Sequence, residues 1–290
     1  MELRVLKYFV EVSRDENITK AAARLHVSQS SLTRQLHNLE EEIGKKLYTR
    51  SNYKIILTPE GLLLKKHAQE MLELEEKILL DFKDLSGDIS GVVYIGAGET
   101  AGMALIGKIL KNLINNYPKI KYRMISADRE GVSEKLDRGL IDFGVFVGKV
   151  NLAKYNYKIL DYADRWGVLV LKDDILALKG FAEPEDLLNR DLLASYQAIA
   201  ENEFESWLGY EAEKLNIIGL HNLIYNGAVM AREGLGILLT IEGIINTDFN
   251  SDFRFVPLKP EINARLALAW KKDAAFSKAA QKFLEFANNI

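Results

Sequence analysis

The 290-residue sequence contains no cysteine. That excludes disulfide bridges and thiolate metal sites, and it fits a reducing compartment. No run of about 18 or more apolar residues occurs, so no membrane-spanning helix is expected. The opening segment MELRVLKYFVEVSRDEN carries acids within its apolar periodicity and lacks a small-residue cleavage site. It does not read as an export signal, and a cytoplasmic protein is expected. Histidine is scarce: His26, His37, His67 and His221 are the four, three of them in the N-terminal third. Neither an HExxH nor a GxSxG order appears, so hydrolytic chemistry finds no support, and no enzyme activity, cofactor or metal site is expected.

Excess charge is also lacking. A net charge of −3 argues against a chain that coats nucleic acid non-specifically. Up to Glu60, however, Lys and Arg slightly outnumber Asp and Glu, while the remainder is acidic. If nucleic acid is bound, the N-terminal part is the part suited to it. With 48% hydrophobic residues in 290, two domains can each bury a core of their own.

Leu3, Leu6, Phe9, Val10 and Val12 follow helical spacing, so residues 2–13 read as a first helix. Arg14 to Asn17 is a polar break, and a short helix follows from Thr19 to about Leu25. Ser28 then reads as the N-cap of a third helix, with Val27 and Leu32 forming the hydrophobic staple around it. Leu32, Leu36, Leu39 and Ile43 continue one apolar stripe to the C-terminal stop at Gly44. Ser30, Thr33, Arg34, His37 and Glu41 face away from that stripe. Hydroxyls and an arginine thus open the outer face, and Glu40, Glu41 and Glu42 are held back to its far end. Acids there oppose the helix dipole, so the charge order is not one that helix stability alone selects.

Two helices separated by His26-Val27-Ser28 have the helix-turn-helix shape, whose second helix enters the DNA major groove. Residues 47–50 and 54–57 read as short strands joined by Ser51-Asn52-Tyr53, a hairpin carrying Arg50 and Lys54. Three helices and a basic ribbon describe a winged helix-turn-helix. Thr58-Pro59-Glu60 opens a further helix, running to about Leu85. Leu64, Ala68, Met71, Ile78, Phe82 and Leu85 fall on a heptad seam with Glu75 the polar intruder, and a second copy of the chain is the expected partner of that seam.

Ser86 to Gly91 is the linker signal. Beyond it, strands at 92–95, 121–125 and 143–147 alternate with helices reaching about Tyr117 and spanning 131–138. Strands at 157–160 and 165–171 lead into a second set: strands at 192–194, 217–220 and 236–240, with helices near 203–210 and through 228–233. A strand at 265–270 and a helix over 277–288 close the chain. Two α/β lobes sharing a cleft fit this order better than one large sheet.

The stretch LKYFVEVSRDENITKAAARLHVSQSSLTRQLHNLEEEIGKKLYTR, followed by LTPEG, resembles the N-terminal domain of LysR-type transcriptional regulators. YNGAVMAREGLGILLT and LDRGLIDFGVFVG resemble the effector-binding domain of that family, a two-lobed fold like type 2 periplasmic binding proteins. The resemblance implies an N-terminal winged helix-turn-helix at 1–58, a linker and dimerisation helix at 59–88, and an effector-binding α/β domain at 89–290. Its lobe I would take about 91–161 and 264–290, and its lobe II about 162–263. The implied partners are a partly palindromic double-stranded DNA operator, a small-molecule effector, a second copy in a homodimer or homotetramer, and RNA polymerase, with no membrane.

By position, the DNA-binding motif spans Ile18 to His37. Gln29, Ser30, Thr33 and Arg34 are the candidates for base edges or nearby phosphates, since Gln pairs bidentately with adenine and Arg with guanine. Lys20, Ser28, Ser31, Arg50 and Lys54 are candidates for positioning on the backbone. Ser28 and Ser31 have helix capping as the competing role. The family commonly has proline at Ser30, phenylalanine at Ile18 and another basic residue where Asn52 and Tyr53 stand. These departures bear on the operator sequence rather than on DNA binding itself.

For the effector, Glu99 and Thr100 follow the first strand of the second part, Ser126 and Asp128 the second, and Phe146 the third. Tyr196, Gln197, Asn226, Thr240 and Glu242 come from the other lobe. Such positions, beyond the carboxyl ends of strands, are where α/β folds bind ligands. Glu99, Asp128 and Glu242, with few basic residues nearby, favour a neutral or cationic ligand. A competing motif lies in VVYIGAGETAG: Gly96-x-Gly98-x-x-Ala101 after a strand matches a dinucleotide fingerprint, with Asp128 as the ribose-binding acid. It would make the protein an NAD(P)-dependent oxidoreductase with an appended DNA-binding module. Asp128 stands 30 residues past Gly98, against a usual spacing of about 20.

Overall fold

The computed structural model describes residues 1–51, 54–82, 89–200, 204–209 and 214–289. The chain divides into two compact units, Met1–Lys83 and Asp84–Ile290.

The first unit contains α1 (Leu3–Asp15), α2 (Ile18–Arg24), α3 (Gln29–Ile43), β1 (Tyr48–Ser51), β2 (Lys54–Leu57) and α4 (Pro59–Phe82). Its helices form where the chain supplies both an apolar stripe and a cap. Asn17 caps α2 by accepting from the Lys20 N–H, and Ser28 caps α3 by accepting from the Ser31 N–H at 3.2 Å. His26 takes φ +55° in the turn between them, a left-handed conformation that histidine tolerates better than branched residues do. Leu6, Phe9, Leu32, Leu36 and Leu39 are buried together. The antiparallel β1–β2 ribbon is tied to the α1–α2 connection by the Ile55 N–H donating to the Glu16 carbonyl at 2.8 Å. Asn52 and Tyr53, the expected tip of this hairpin, lie outside the described residues.

Thr58 caps α4, accepting from the Gly61 N–H at 3.0 Å while its own hydroxyl donates to the Lys46 carbonyl at 2.7 Å. Gly61 is required there, because a Cβ would stand 1.9 Å from the Leu47 carbonyl oxygen. The first half of α4 is part of this unit's core, with Ala68 fully buried and Leu64 half-buried against α1. Two seam positions expected to face another chain are therefore spent inside the unit. Met71, Ile78 and Phe82 remain exposed, Phe82 at 70%. Leu85, the last expected seam residue, lies outside the described residues, as do residues 86–88 of the linker.

The second unit comprises β3 (Gly91–Ala97), α5 (Met103–Asn116), β4 (Ile120–Ser126), α6 (Arg129–Asp137), β5 (Phe143–Val147), β6 (Tyr155–Leu171), α7 (Ile175–Lys179), α8 (Pro184–Leu187), β7 (Asp191–Ser195), α9 (Tyr196–Ala200), α10 (Glu205–Leu208), β8 (Asn216–His221), α11 (Ile224–Arg232), β9 (Ile237–Ile241), β10 (Phe253–Pro257), β11 (Asn263–Lys271) and α12 (Lys278–Asn288). The strands bond in the order β4-β3-β5-β11-β6-β9-β7-β8, with β10 also on β6. The β4-β3-β5 and β9-β7-β8 sets are parallel, as strand–helix alternation demands. Two cores result: Val93, Ile95, Ile106, Phe143 and Phe283 fill one lobe, and Val168, Leu192, Trp207, Leu239 and Val256 fill the other. The hydrogen-bonded sheet is nonetheless continuous. β6 is one strand of 17 residues where two separate pieces are expected from sequence, and with β11 it crosses from one lobe to the other.

Candidate functional site

Two sites stand out, one in each unit. In the first, the N-terminal part of α3 presents Gln29, Ser30 and Arg34 to solvent, with Ser31 and Thr33 half-buried at its edges. Ser30, Thr33, Arg34 and His37 share one face of the helix. The Arg34 guanidinium makes no ion pair or hydrogen bond among the described residues, and neither do the side chains of Lys20 and Arg50. Ser28 and Ser30 hydroxyls lie 3.2 Å apart, so Ser28 both caps the helix and meets its neighbour. Lys54 stands 3.9 Å from Glu16, and His37 3.8 Å from Glu41.

The acids at the far end of α3 have a local explanation. Glu40, 7% exposed, accepts from the Leu47 N–H at 2.8 Å and from Lys46 at 2.8 Å, joining α3 to the ribbon. The Lys46 side chain gains its proton more readily through that bond. Glu42 meets the N-terminal ammonium. These contacts offset the unfavourable dipole position, and they leave Arg34, the one arginine of α3, unopposed.

In the second unit a cavity of about 100 Å³ lies where the two lobes meet. Of the sequence candidates, Glu99, Asp128, Phe146, Gln197 and Thr240 line it. Two backbone N–H groups at helix starts are bound across the cleft. The Ile224 N–H at the start of α11 donates to Glu99 Oε2 at 2.8 Å, and the Arg129 N–H at the start of α6 donates to Gln197 Oε1 at 2.9 Å. Asp128 caps α6, accepting from the Gly131 N–H at 3.0 Å.

Five candidates lie off this wall. Thr100 is turned toward β6, where its hydroxyl donates to the buried Asp164 carboxylate and accepts from the Gly102 N–H at 2.9 Å. Ser126 lines a separate depression with Met103 and Met124. Tyr196 and Asn226 are on exposed faces of α9 and α11. Glu242 forms a two-bond pair with Arg165, both bonds at 2.8 Å, which holds its carboxyl below the usual range. Residues not anticipated from sequence are Arg129, Trp166, Ser195 and His221. Arg129 adjoins the predicted Asp128, and its guanidinium donates to the Val147 carbonyl at 2.9 Å. Burial pushes the His221 imidazole down, against the nearby Glu99 charge, so it is neutral at pH 7. The carboxylates that favoured a neutral or cationic ligand are thus all engaged within the protein.

Burial holds the Asp164 carboxyl above the usual carboxylate range, with the Thr100 and Tyr162 hydroxyls pulling the other way. A carboxyl whose folded-state pKa is raised holds its proton more tightly when folded, so stability is lost as pH rises from the unfolded value through the raised one. Asp164→Asn keeps an acceptor for Thr100 and removes that loss. We expect the variant to melt above the parent at pH 7, by about 2–4 °C for each kcal/mol recovered, and the difference to shrink toward pH 4. Thermal melts across that range check it; a difference that does not change with pH contradicts it.

The dinucleotide motif has a packing explanation. Gly96 lies inside β3 rather than in a turn, and a Cβ on it would stand 2.6 Å from Ile141 Cδ1. Its glycine makes room for Ile141, in the connection between α6 and β5, and for Val132 of α6 at 3.4 Å, and Asp128 is spent on its cap. Among the described residues no group of three or more His, Cys, Asp or Glu side chains is placed to hold a metal, and no helix is long and apolar enough to cross a membrane.

Residues 3–62 match the family model described as bacterial regulatory helix-turn-helix protein, lysR family, and residues 86–289 match the one described as LysR substrate binding domain. The chain belongs to the LysR family. This LysR-type regulator is 28% identical to the Hca operon transcriptional activator HcaR of Escherichia coli strain K12 over 277 residues, 94% of this chain and 92% of HcaR. It is 27% identical to the HTH-type transcriptional regulator MJ0300 of Methanocaldococcus jannaschii over 241 residues, 81% and 80% of the two chains. The crystal structure of full-length CbnR complexed with its target DNA shares the fold with a TM-score of 0.77 at 19% identity, over 100% of this chain and 99% of that one. The protein is therefore a DNA-binding transcription regulator with an effector-binding domain, and the oxidoreductase alternative is set aside.

Proposed function

We propose that α3 reads operator DNA through Gln29, Ser30, Thr33 and Arg34, with Lys20, Ser28, Ser31, Arg50 and Lys54 on phosphates and His37 at the margin of the contact. The observation that carries this reading is the unpaired Arg34 guanidinium on an exposed, hydroxyl-bearing helix face with the acids drawn away from it. The working division is DNA binding at 1–58, dimerisation at 59–88 and effector binding at 89–290. The exposed apolar face of α4, carrying Met71, Ile78 and Phe82, is covered by the same face of a second copy. The cleft takes a small-molecule effector, whose unequal affinity for two arrangements of the lobes changes how copies pack and how half-sites are engaged. Its place of action is the cytoplasm, RNA polymerase is its further partner, and it catalyses no reaction.

Nuclease footprinting on DNA flanking the gene tests this. The expected result is protection of one partly palindromic site, as two half-sites about one or more helical turns apart. Uniform weak protection of all DNA, with no preferred site, contradicts it.

A further inference from the structure

The cleft is bridged by the protein's own side chains in a reciprocal way. Glu99, in the turn after β3 of one lobe, serves the first N–H of α11 in the other, and Gln197, in the other lobe, serves the first N–H of α6. The two ends differ in what else supports them. α6 has its own cap in Asp128, whereas the N-cap position of α11 is Leu223, whose side chain supplies no cap bond. A helix start gathers unsatisfied N–H groups and partial positive charge, and here the carboxylate that answers it comes from 125 residues away in sequence.

A second, independent observation concerns the same cavity. Trp166 lines it and is 7% exposed, yet its indole N–H finds no acceptor among the described residues. A buried donor without an acceptor costs free energy, and it is satisfied when an acceptor enters beside it. The walls combine apolar side chains, Val147, Ile224, Leu239 and Ile244 among them, with polar ones such as Ser195, His221 and Thr240. The cavity of about 100 Å³ is smaller than the roughly 150 Å³ apolar cavity known to hold benzene, so it suits a short branched chain.

We propose that Glu99 is a tethered occupant of the effector's acid subsite, and that the effector is a small, largely apolar carboxylate that takes the place of Glu99 at the start of α11. The incoming carboxylate accepts from the Ile224 N–H with one oxygen, its other oxygen supplies the acceptor that the Trp166 indole N–H lacks, and its apolar body fills the cavity. Glu99, released, no longer joins the two lobes. Effector binding and loss of the cross-cleft bond are then one event, with the tether setting how much ligand is needed. This inference rests on the reading of the cleft as the effector site.

Chemical rescue in the full-length protein tests it. Glu99→Ala deletes a fragment the size of acetate, so the variant should melt lower than the parent by about 2–4 °C. Acetate at about 50 mM, enough to saturate a millimolar site, should restore most of the loss and change Trp166 emission. Sodium chloride of equal ionic strength should not. The parent should respond little to acetate, and Glu99→Gln, which fills the space and keeps a carbonyl acceptor, should not respond. Glu99→Ser, whose hydroxyl stands at the Cγ position and leaves a formate-sized space, should respond to formate and supplies the result if the alanine variant does not fold. As a probe of the apolar body, isobutyrate should stabilise Glu99→Ala more than acetate does at equal concentration. Equal acetate responses in parent and variant, or no carboxylate response in either the alanine or the serine variant, would overturn the proposal. If operator binding stays intact in that case, the proposal alone fails and the DNA-binding reading stands.

Discussion

Arg34→Ala weakens operator binding by about 10- to 100-fold, the loss of one bidentate base contact worth roughly 1–3 kcal/mol. The guanidinium has no partner within the described residues, so its removal leaves no buried charge behind and the fold intact. For the proposed contact to a base edge, the loss is expected to be concentrated at one operator position, and a substitution there to cost the variant little further. Lys20→Ala and Arg50→Ala behave differently, weakening binding to all sequences alike and each reducing the salt slope by about 0.9. Titration of labelled duplexes at several salt concentrations separates the two classes. An Arg34→Ala variant that binds as the parent does would remove α3 from the recognition role.

Ile78→Glu or Phe82→Glu is expected to dissociate the proposed dimer, with its affinity falling about 100-fold or more, because a carboxylate forced into an apolar seam without a partner costs several kcal/mol. Ile78 and Phe82 are 48% and 70% exposed, so neither change disturbs the unit's own core. Ala68 supplies the contrast: fully buried against α1, it gives a folding defect rather than a purely associative one when enlarged. Sedimentation of the two variants checks this, and operator affinity should fall with dimer content as the second half-site is lost. An unaltered oligomer in both variants places the association surface elsewhere.

The first unit was largely legible in sequence because its determinants are local. The Ser28 cap, the Val27–Leu32 pair, the left-handed turn at His26 and the stop at Gly44 each lie within a few residues of what they control. The role of Glu40 was not legible, since its partners Lys46 and Leu47 lie past the helix end in a turn whose geometry no periodicity describes. In sequence β6 reads as two strands, 157–160 and 165–171, because Asp161 and Asp164 interrupt its apolar pattern between them. The strand runs on through them because Thr100 donates to one oxygen of Asp164 and Glu242 pairs with Arg165, from 64 and 77 residues away. The cleft follows the same rule: strand ends located it, but which side chains enter it depends on contacts such as Glu99 with Ile224. α7, α8, α9 and β10 went unread because each has only four or five residues, too few for a period to show.

The ratio of affinities for the footprinted operator and for a scrambled duplex of equal length, measured at about 0.15 M salt, tests the central claim most directly. A sequence-specific regulator of this design shows a ratio of about 10³ or more, which falls in Arg34→Ala. A ratio near unity in the parent would mean that α3 meets DNA only through charge, and would contradict the account.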